Sequence, residues 1–281
     1  MHILTSVAEM QKYSRSLQRQ GLRVGFVPTM GYLHDGHVSL VELAQRHSDV
    51  VGASIFVNPT QFSPTEDLAQ YPRDFDGDSA KLQSAGCQFI FFPPVQEMYP
   101  DGASTVVEVE GVTSRYEGAF RPTHFRGVTT IVAKLFNSVL PDVAAFGQKD
   151  AQQVAVVRKM MQDLNFPIQL LVGETVREPD GLAMSSRNVY LSPEDRAHGL
   201  SISAALRAAQ QLAATGGTLR EVEHALRSQL SPAIALDYAD VVDPQTFHPA
   251  TDSSAEWLGI IAGKIGRTRL IDNMLLRSIP Q

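Results

Sequence analysis

The chain alternates short apolar runs with longer segments in which apolar and polar residues mix at helical spacing. Residues 50–57 are apolar at nearly every position, which is typical of a parallel strand covered by helices on both faces. Similar, shorter runs recur along the first part of the chain, separated by segments long enough for a helix. The predicted strands span residues 24–27, 50–57, 89–92, 143–146 and 168–172.

The segments between these strands carry helix signals. Ser6 and Glu9 form a capping-box pattern, and Gly21 follows the segment that they begin. The predicted helices span residues 6–20, 36–47, 78–85, 128–140 and 150–164. This alternation of strands and helices predicts an α/β fold with a Rossmann-like, doubly wound parallel sheet, in which ligands bind at the carboxyl ends of the strands.

The pattern changes after about residue 175. The predicted elements there are helices over residues 192–214 and 218–230, then strands over residues 239–242, 258–262 and 269–272. Helices followed by strands, without alternation, are typical of a smaller α+β domain. We therefore predict a first domain over residues 1–175 and a second over residues 176–281, with Trp257 as a packing residue.

Composition narrows the classes of function. The net charge of −6 argues against a nucleic-acid partner, which normally binds a basic surface. No apolar run approaches the roughly 20 residues of a membrane span, and the first residues lack a signal-peptide pattern. Cys87 is the single cysteine, so no internal disulfide forms. We expect a cytoplasmic protein without a nucleic-acid or membrane partner.

His34 and His37 flank Gly36 directly after the strand predicted over residues 24–27. Imidazoles at this spacing lie on one face of a helical turn, and the glycine lets a ligand approach the backbone. A strand that leads through a glycine-bearing turn into a helix is a common phosphate site. Half of a metal site and ordinary surface histidines are the alternatives, although Glu42 is poorly spaced as a third ligand.

Other polar clusters also follow predicted strands. Gln61 either binds a substrate group or lies in a solvated turn. Arg121, Arg126 and Lys149 stand near predicted helix starts, where cations are unfavourable unless an anion binds nearby. Asp150 is a suitable N-cap. The further polar residues are Gln152 and Gln153 on a first helical turn, and Ser185, Ser186 and Arg187, which suit either a phosphate site or a plain loop.

An acidic stretch lies between these clusters. It contains Asp67, Asp74, Asp76 and Asp78. A solvated surface is one interpretation, and a magnesium ion held mainly by substrate phosphates, which needs only one or two protein carboxylates, is the other.

In this order the clusters resemble the pantoate–β-alanine ligases. The resemblance covers nearly the whole chain and rests on residues 27–31, His34 with His37, residues 55–59 with Gln61, and residues 71–73, 121–125, 146–150 and 180–188. The His-x-Gly-His part alone is shared with other nucleotidyltransferases and with class I aminoacyl-tRNA synthetases. The combination is what makes the resemblance specific.

The resemblance implies a reaction in two steps. The carboxylate of pantoate would attack the α-phosphorus of ATP and release pyrophosphate. β-Alanine would then attack the pantoyl adenylate, giving pantothenate and AMP. A carboxylate is already ionised near neutral pH, so the first step needs positioning and charge stabilisation rather than a base. The resemblance also implies Mg²⁺ and a homodimer formed through the first domain.

The resemblance further assigns roles to individual residues. The implied catalytic residues are His34, His37, Lys149 and Arg187, with His37 as the proton donor. The implied nucleotide-binding residues are Met30, Gly31, His34, Gly36, His37, Gly147, Gln148, Lys149, Asp150, Val176, Met184, Ser185, Ser186 and Arg187. Met30, Gln61 and Gln153 would hold pantoate, and Asp78 would contact Mg²⁺. Two residues depart from the family pattern: Gln148 replaces a common Glu, and Gly77 a common carboxylate.

Two competing hypotheses stay open. A different adenylyl- or cytidylyltransferase would keep the nucleotide in its final product, but it leaves Gln61 and Gln153 unexplained. A non-catalytic nucleotide-binding module would not need both histidines together with Lys149 and Arg187.

Overall fold

The computed structural model describes residues 1–63 and 68–278, and Asp67 of the acidic stretch lies outside them. The first part of the chain forms a parallel sheet with its helices. Its elements are β1 (His2–Leu4), α1 (Val7–Arg19), β2 (Val24–Thr29), α2 (Asp35–Gln45), β3 (Val50–Ile55), α3 (Phe75–Ser84), β4 (Phe89–Phe91), α4 (Val95–Met98), α5 (Glu117–Phe120), α6 (His124–Val139), β5 (Val143–Gly147), α7 (Ala151–Asp163) and β6 (Gln169–Gly173).

The six strands stand in the order β1-β4-β3-β2-β5-β6, and every neighbouring pair is parallel. The chain runs outward from β2 through β3 to β4 on one side and from β5 to β6 on the other. The strand order therefore reverses between β2 and β5, and a crevice for ligands forms at the carboxyl ends of strands at such a reversal. The predicted doubly wound sheet is confirmed.

Two hydrophobic cores cover the two faces of this sheet. Phe26 belongs to one core and Val27 to the other, and Phe89 and Ile90 divide in the same way. Successive side chains of a strand point to opposite faces, so both faces of the sheet are buried. All six residues of β3 are buried, which explains why that segment is apolar throughout.

The second part of the chain is a smaller α+β unit, as predicted. Its elements are α8 (Pro193–Ala214), α9 (Leu219–Ser228), β7 (Ala235–Val242), β8 (Glu256–Ile265) and β9 (Thr268–Ser278). β8 pairs antiparallel with both β7 and β9. Trp257 is completely buried in the core of this unit, which confirms its packing role. The division between residues 175 and 176 stays a proposal; β6 ends at Gly173, and α8 begins at Pro193.

Three differences from the predicted elements have physical reasons. β1 is only three residues long and pairs at the edge of the sheet, so it leaves no periodic pattern. α3 begins before Asp78 because the Asp74 side chain accepts the N–H of Gly77 at 3.0 Å and caps the helix earlier. α6 begins at His124 rather than at residue 128, since His124 and Phe125 are buried. Within residues 1–63 and 68–278, no helix has the length and apolar character to cross a membrane.

Candidate active site

β2 and β5 end side by side where the strand order reverses. β2 ends at Thr29 and β5 at Gly147. The segment of residues 30–37 follows β2, and a 3₁₀ turn, Gln148–Asp150, follows β5. Both segments border the same crevice, so the histidine pair and Lys149 come together although they are distant in sequence.

The loop between β2 and α2 is held in shape by α3. Gly31 and Tyr32 both have positive φ angles, of 88° and 52°. The carboxylate of Asp78 accepts the backbone N–H groups of Tyr32 and Leu33, each at 2.7 Å. Lys81 Nζ donates to the carbonyl of Leu33, also at 2.7 Å. A left-handed tyrosine is costly, and these bonds offset that cost.

The predicted contact between Asp78 and Mg²⁺ does not fit this geometry. Asp78 is 1% exposed and lines neither of the two cavities described below, and its two oxygens accept backbone N–H groups. Among the described residues, no three His, Cys, Asp or Glu side chains are grouped to hold a metal ion. Asp78 therefore shapes the loop before the histidines instead of offering a magnesium site.

His34 and His37 cap the first turn of α2 with their rings. His34 occupies the N-cap position, and its Nδ1 accepts the N–H of Gly36 at 3.1 Å. His37 Nδ1 accepts the N–H of His34 at 3.3 Å. Because both Nδ1 atoms accept, the proton of each neutral ring lies on Nε2. The ring centroids are 4.2 Å apart, so two Nε2–H donors stand close together.

Burial keeps both rings uncharged at neutral pH. It lowers the pKa of His34 to about 4 and the pKa of His37 to about 3. The charge of Lys149 lowers both pKa values further. The pair therefore offers hydrogen-bond donors rather than positive charge.

Lys149 and Asp150 extend from the 3₁₀ turn. Lys149 Nζ lies 3.9 Å from Asp150 Oδ1. Asp150 occupies the predicted N-cap position of α7, but its side chain makes no capping hydrogen bond. Gln148 lies beside them and points away, with its Nε2 donating to Asn273 Oδ1 at 3.1 Å.

Gln61 is buried beside the histidine loop, so it does not lie in a solvated turn. Its Nε2 lies 3.0 Å from Met30 Sδ, and its Oε1 accepts from Asn58 Nδ2 at 3.1 Å. A Cβ on Gly127 would lie 2.6 Å from the backbone of Gln61, so α6 packs tightly against this segment. Asn58 thus orients Gln61, a role that the sequence analysis missed. The only available clue was the Asn58-Pro59 pair, which is typical of a turn.

Arg121 reaches the crevice, whereas Arg126 is exposed on α6. His124 Nδ1 lies 3.1 Å from the carbonyl of Gln61, and its Nε2 lies 3.2 Å from Arg121 Nη1. A carbonyl only accepts, so the His124 proton is on Nδ1 and its Nε2 accepts from Arg121. Glu117 adds an ion pair with Arg121 at 3.9 Å.

The two neighbouring glutamines of α7 face different ways. Gln153 lines the crevice, as predicted. Gln152 is 4% exposed and donates to the carbonyls of Val112 and Arg115, so it supports a loop instead of a ligand.

A cavity of about 230 Å³ occupies the crevice. The sequence-predicted residues that line it are Met30, His34, Gly36, His37, Gln61, Gly147, Lys149, Asp150, Gln153, Val176, Met184, Ser185, Ser186 and Arg187. Gly31, Gln148 and Asp78 do not line it. A second cavity of about 690 Å³ lies next to it and shares Arg121, Lys149, Asp150, Ser185 and Arg187. Its wall adds cations from the β8–β9 hairpin, Lys264, Arg267 and Arg269.

The segment after β6 folds back on itself along the crevice. Met184 N donates to the carbonyl of Val176 at 3.0 Å, and Arg177 bridges to Ala183. The Ser185 side chain accepts the N–H of Arg187 at 3.3 Å and caps a short 3₁₀ helix, Ser186–Tyr190. This segment brings two hydroxyl groups and a guanidinium group to the cavity that Lys149 also lines.

A doubly wound sheet, a capped histidine pair at its reversal point and a lysine on the adjoining turn define a nucleotide-dependent enzyme of the His-x-Gly-His class. Comparison with known proteins identifies the family. The sequence profile of the pantoate-beta-alanine ligases matches residues 2–275, so the chain belongs to that family. The resemblance noted in the sequence is thereby confirmed.

Named relatives and solved structures agree. A pantothenate synthetase of Koribacter versatilis is 50% identical over 282 aligned residues, which cover 99% of this chain and 97% of the relative. The crystal structure of a pantothenate synthetase from Thermus thermophilus is 49% identical, with a TM-score of 0.93 and coverage of 99% and 100%. A ligase from Francisella tularensis, complexed with "Beta-gamma ATP" and β-alanine, is 33% identical with a TM-score of 0.81, covering 98% of this chain and 97% of that one.

Proposed function

We propose that this chain condenses (R)-pantoate with β-alanine to form pantothenate, using ATP and releasing AMP and pyrophosphate. The observation that carries the proposal is a single cavity of about 230 Å³ in which neutral imidazole donors, three cations and buried amides converge. Membership of the pantoate–β-alanine ligase family supports the same reaction.

The first step forms pantoyl adenylate. A pantoate carboxylate oxygen attacks the α-phosphorus of ATP, the bond to the bridging oxygen breaks, and pyrophosphate leaves with that electron pair. No base is required, because the carboxylate is already ionised. Nε2–H groups of His34 and His37 donate to phosphate oxygens, and Lys149 and Arg187 balance the charge that develops there.

Two side-chain amides, one buried and one half-buried, give the first step its geometry. Gln61 and Gln153, beside Met30, are the side chains that we assign to pantoate. Asn58 and the tight packing at Gly127 support Gln61, so its amide is already in place before the ligand arrives. Preorganised contacts of this kind hold the carboxylate in line with the phosphorus.

The second step transfers the pantoyl group to the amine of β-alanine. The amine attacks the acyl carbon, the acyl–phosphate bond breaks, AMP leaves, and the amine proton passes to solvent. Arg121, oriented by His124 and Glu117, suits the carboxylate of β-alanine because a guanidinium group pairs with a carboxylate through two hydrogen bonds. Gln61 is a second contact for this substrate.

Magnesium belongs to this proposal only as a partner of ATP. Asp78 is buried and both of its oxygens accept backbone N–H groups, which does not suit Mg²⁺, so we assign no step to a protein-bound ion. A location in the cytoplasm and a homodimer formed through the first domain are further proposals. The free thiol of Cys87 is compatible with a reducing compartment, and sedimentation equilibrium tests the dimer.

The test measures AMP and pyrophosphate with ATP, Mg²⁺, pantoate and β-alanine, omitting each substrate in turn. AMP formation that requires both acids, with pantothenate as the co-product, supports the ligase. Pantoate-dependent exchange of pyrophosphate into ATP without β-alanine supports the adenylate. If pyrophosphate is released with another acceptor and the nucleotide stays in the product, the chain is a nucleotidyltransferase instead.

A further inference from the structure

The second domain reaches the 3₁₀ turn Gln148–Asp150 through the side chain of Asn273 on β9. Asn273 Nδ2 donates to the carbonyl of Gln148 at 2.9 Å and to that of Lys149 at 2.8 Å. Its Oδ1 accepts from Gln148 Nε2 at 3.1 Å. The two carbonyls only accept, so they determine which way the amide is oriented. Asn273 is 5% exposed, so water does not easily replace these bonds.

The preceding residue of β9, Asp272, lines the larger cavity and pairs with Arg177. Arg177 donates to both oxygens of Asp272, at 2.7 Å and 3.1 Å. Asp272 Oδ1 also accepts the N–H of Asn273 at 2.8 Å. Arg177 belongs to the folded-back segment that carries Ser185. Two adjacent residues of β9 therefore contact both segments that border the site, and Asn273 is the one that holds the backbone of Lys149.

We propose that Asn273 is a positioning residue for adenylate formation, acting through the backbone of Lys149. The lysine side chain is a flexible four-carbon stem, so the location of Nζ depends first on where its own backbone lies. Asn273 ties that backbone to β9 and sets the base from which Nζ enters the cavity. The proposal rests on the charge-balancing role assigned to Lys149 above.

The proposal makes the two residues energetically dependent on each other. If Asn273 acts through Lys149, removing it matters only while the lysine amine is present. Two residues that act as a unit give losses that do not add, whereas independent structural effects do add. Non-additive losses therefore distinguish a positioning role of Asn273 from a general weakening of the contact between the two domains.

The experiment measures kcat and the KM for ATP in pantoate-dependent ATP–pyrophosphate exchange. Asn273→Ala is made in the natural chain and in Lys149→Ala. We expect kcat to fall about 10- to 100-fold in the natural chain, as misplacement of a catalytic group does, with little change in KM. In the Lys149→Ala background, the further loss should be less than about twofold because the effects are not additive.

Tyr238→Phe is the matched control. It removes one hydrogen bond between the domains, from the Tyr238 hydroxyl to Glu117 at 2.8 Å, without touching the turn. Its kcat should stay near that of the natural chain. Asn273→Asp is the second variant, and it keeps the size of the side chain if Asn273→Ala fails to fold. Its carboxylate faces two carbonyl oxygens, so it should lose at least as much activity.

Two results would overturn the inference while leaving the role of Lys149 intact: natural kcat in Asn273→Ala beside a large loss in Lys149→Ala, or equal losses from Asn273→Ala in both backgrounds. Near-normal turnover of Lys149→Ala would overturn the role of Lys149 and the inference together. A loss confined to the natural background supports the proposal.

Discussion

Single side chains in the cavity divide into neutral donors and permanent cations. His34 and His37 are uncharged because burial lowers their pKa values, and their Nδ1 atoms are occupied by backbone N–H groups. Uncharged rings can stand beside Lys149 without repulsion, whereas imidazolium rings could not. In the proposed reaction, the charge that meets the triphosphate then comes from Lys149 and Arg187, which both line the cavity.

The neutral-donor role of His37 predicts a graded response. His37→Ala should lower the kcat of pyrophosphate exchange by about 100-fold or more, the usual effect of losing a transition-state donor. His37→Gln restores an N–H donor and should recover part of that loss, although it cannot act as a cation. Equal activity in the two variants, or natural activity in His37→Ala, would contradict this role. Lys149→Ala should match His37→Ala in size.

The same pKa values predict how stability depends on pH. Each ring titrates near 6.5 when unfolded but near 4 or 3 when folded. Below pH 6.5 the unfolded chain therefore binds more protons, and the free energy of unfolding falls as the pH falls. The slope approaches about 1.4 kcal/mol per pH unit for each ring.

Urea unfolding at several pH values between about 7 and 5 measures this slope. His37→Gln removes one of the two groups and should lose less stability on acidification. His224, which is exposed on α9, provides the control, and His224→Gln should keep the natural slope. Parallel curves for all three proteins would show that burial does not keep His37 neutral.

At the scale of elements, the sequence predicted well those helices and strands that depend on neighbouring residues. The capping box at Ser6 and the apolar run of β3 placed their elements well, because both depend on neighbouring residues. The predicted clusters met in one cavity because parallel strands end at one edge. The predicted metal contact of Asp78 stays untested, but sequence reasoning missed its structural role, since its partners Tyr32 and Leu33 lie far away in sequence and become visible only in the folded chain.

Asp78→Asn tests this structural role. An amide presents one acceptor oxygen where the carboxylate presents two, so one backbone N–H in the loop loses its partner. We expect a loss of about 1–3 kcal/mol in the free energy of unfolding, the cost of an unsatisfied buried donor. Activity should fall with the loop geometry, while the Mg²⁺ concentration for half-maximal activity stays unchanged. Asp76→Asn, exposed on the same helix, should be silent in both measurements. A changed Mg²⁺ requirement in Asp78→Asn would restore the metal assignment.

At the scale of the whole molecule, the two domains are joined by apolar and by ionic contacts. Leu258 and Ile260 of β8 pack into the core of the first domain. Glu117 of α5 accepts two hydrogen bonds from Arg269 of β9, at 2.8 Å and 2.5 Å, and a third from Tyr238. No pattern in the sequence links these residues, because the pairing depends on how the second domain docks.

The contacts of Glu117 predict how much the ionic link between the domains contributes to the free energy of unfolding. Burial raises the pKa of Glu117, but the hydrogen bonds and charge of Arg269 outweigh burial and hold the pKa below its ordinary value. Glu117→Ala leaves the half-buried Arg269 guanidinium with Asp237 as an acidic partner. We expect a loss of about 3–5 kcal/mol in the free energy of unfolding, as is usual when one half of a buried pair is removed.

Glu117→Gln should lose less, because the amide keeps the shape and one acceptor. Asp163→Asn breaks a pair with Lys159 in which both side chains are about half exposed, and it should change stability by less than about 1 kcal/mol. Urea unfolding, monitored separately in the two domains, distinguishes a loss of global stability from undocking of the domains. Trp257 fluorescence reports on the second domain. If Glu117→Ala matched Asp163→Asn, the apolar contacts of β8 alone would hold the domains together. A single cooperative transition that moves to lower urea would instead place the ionic contact at the centre of domain docking.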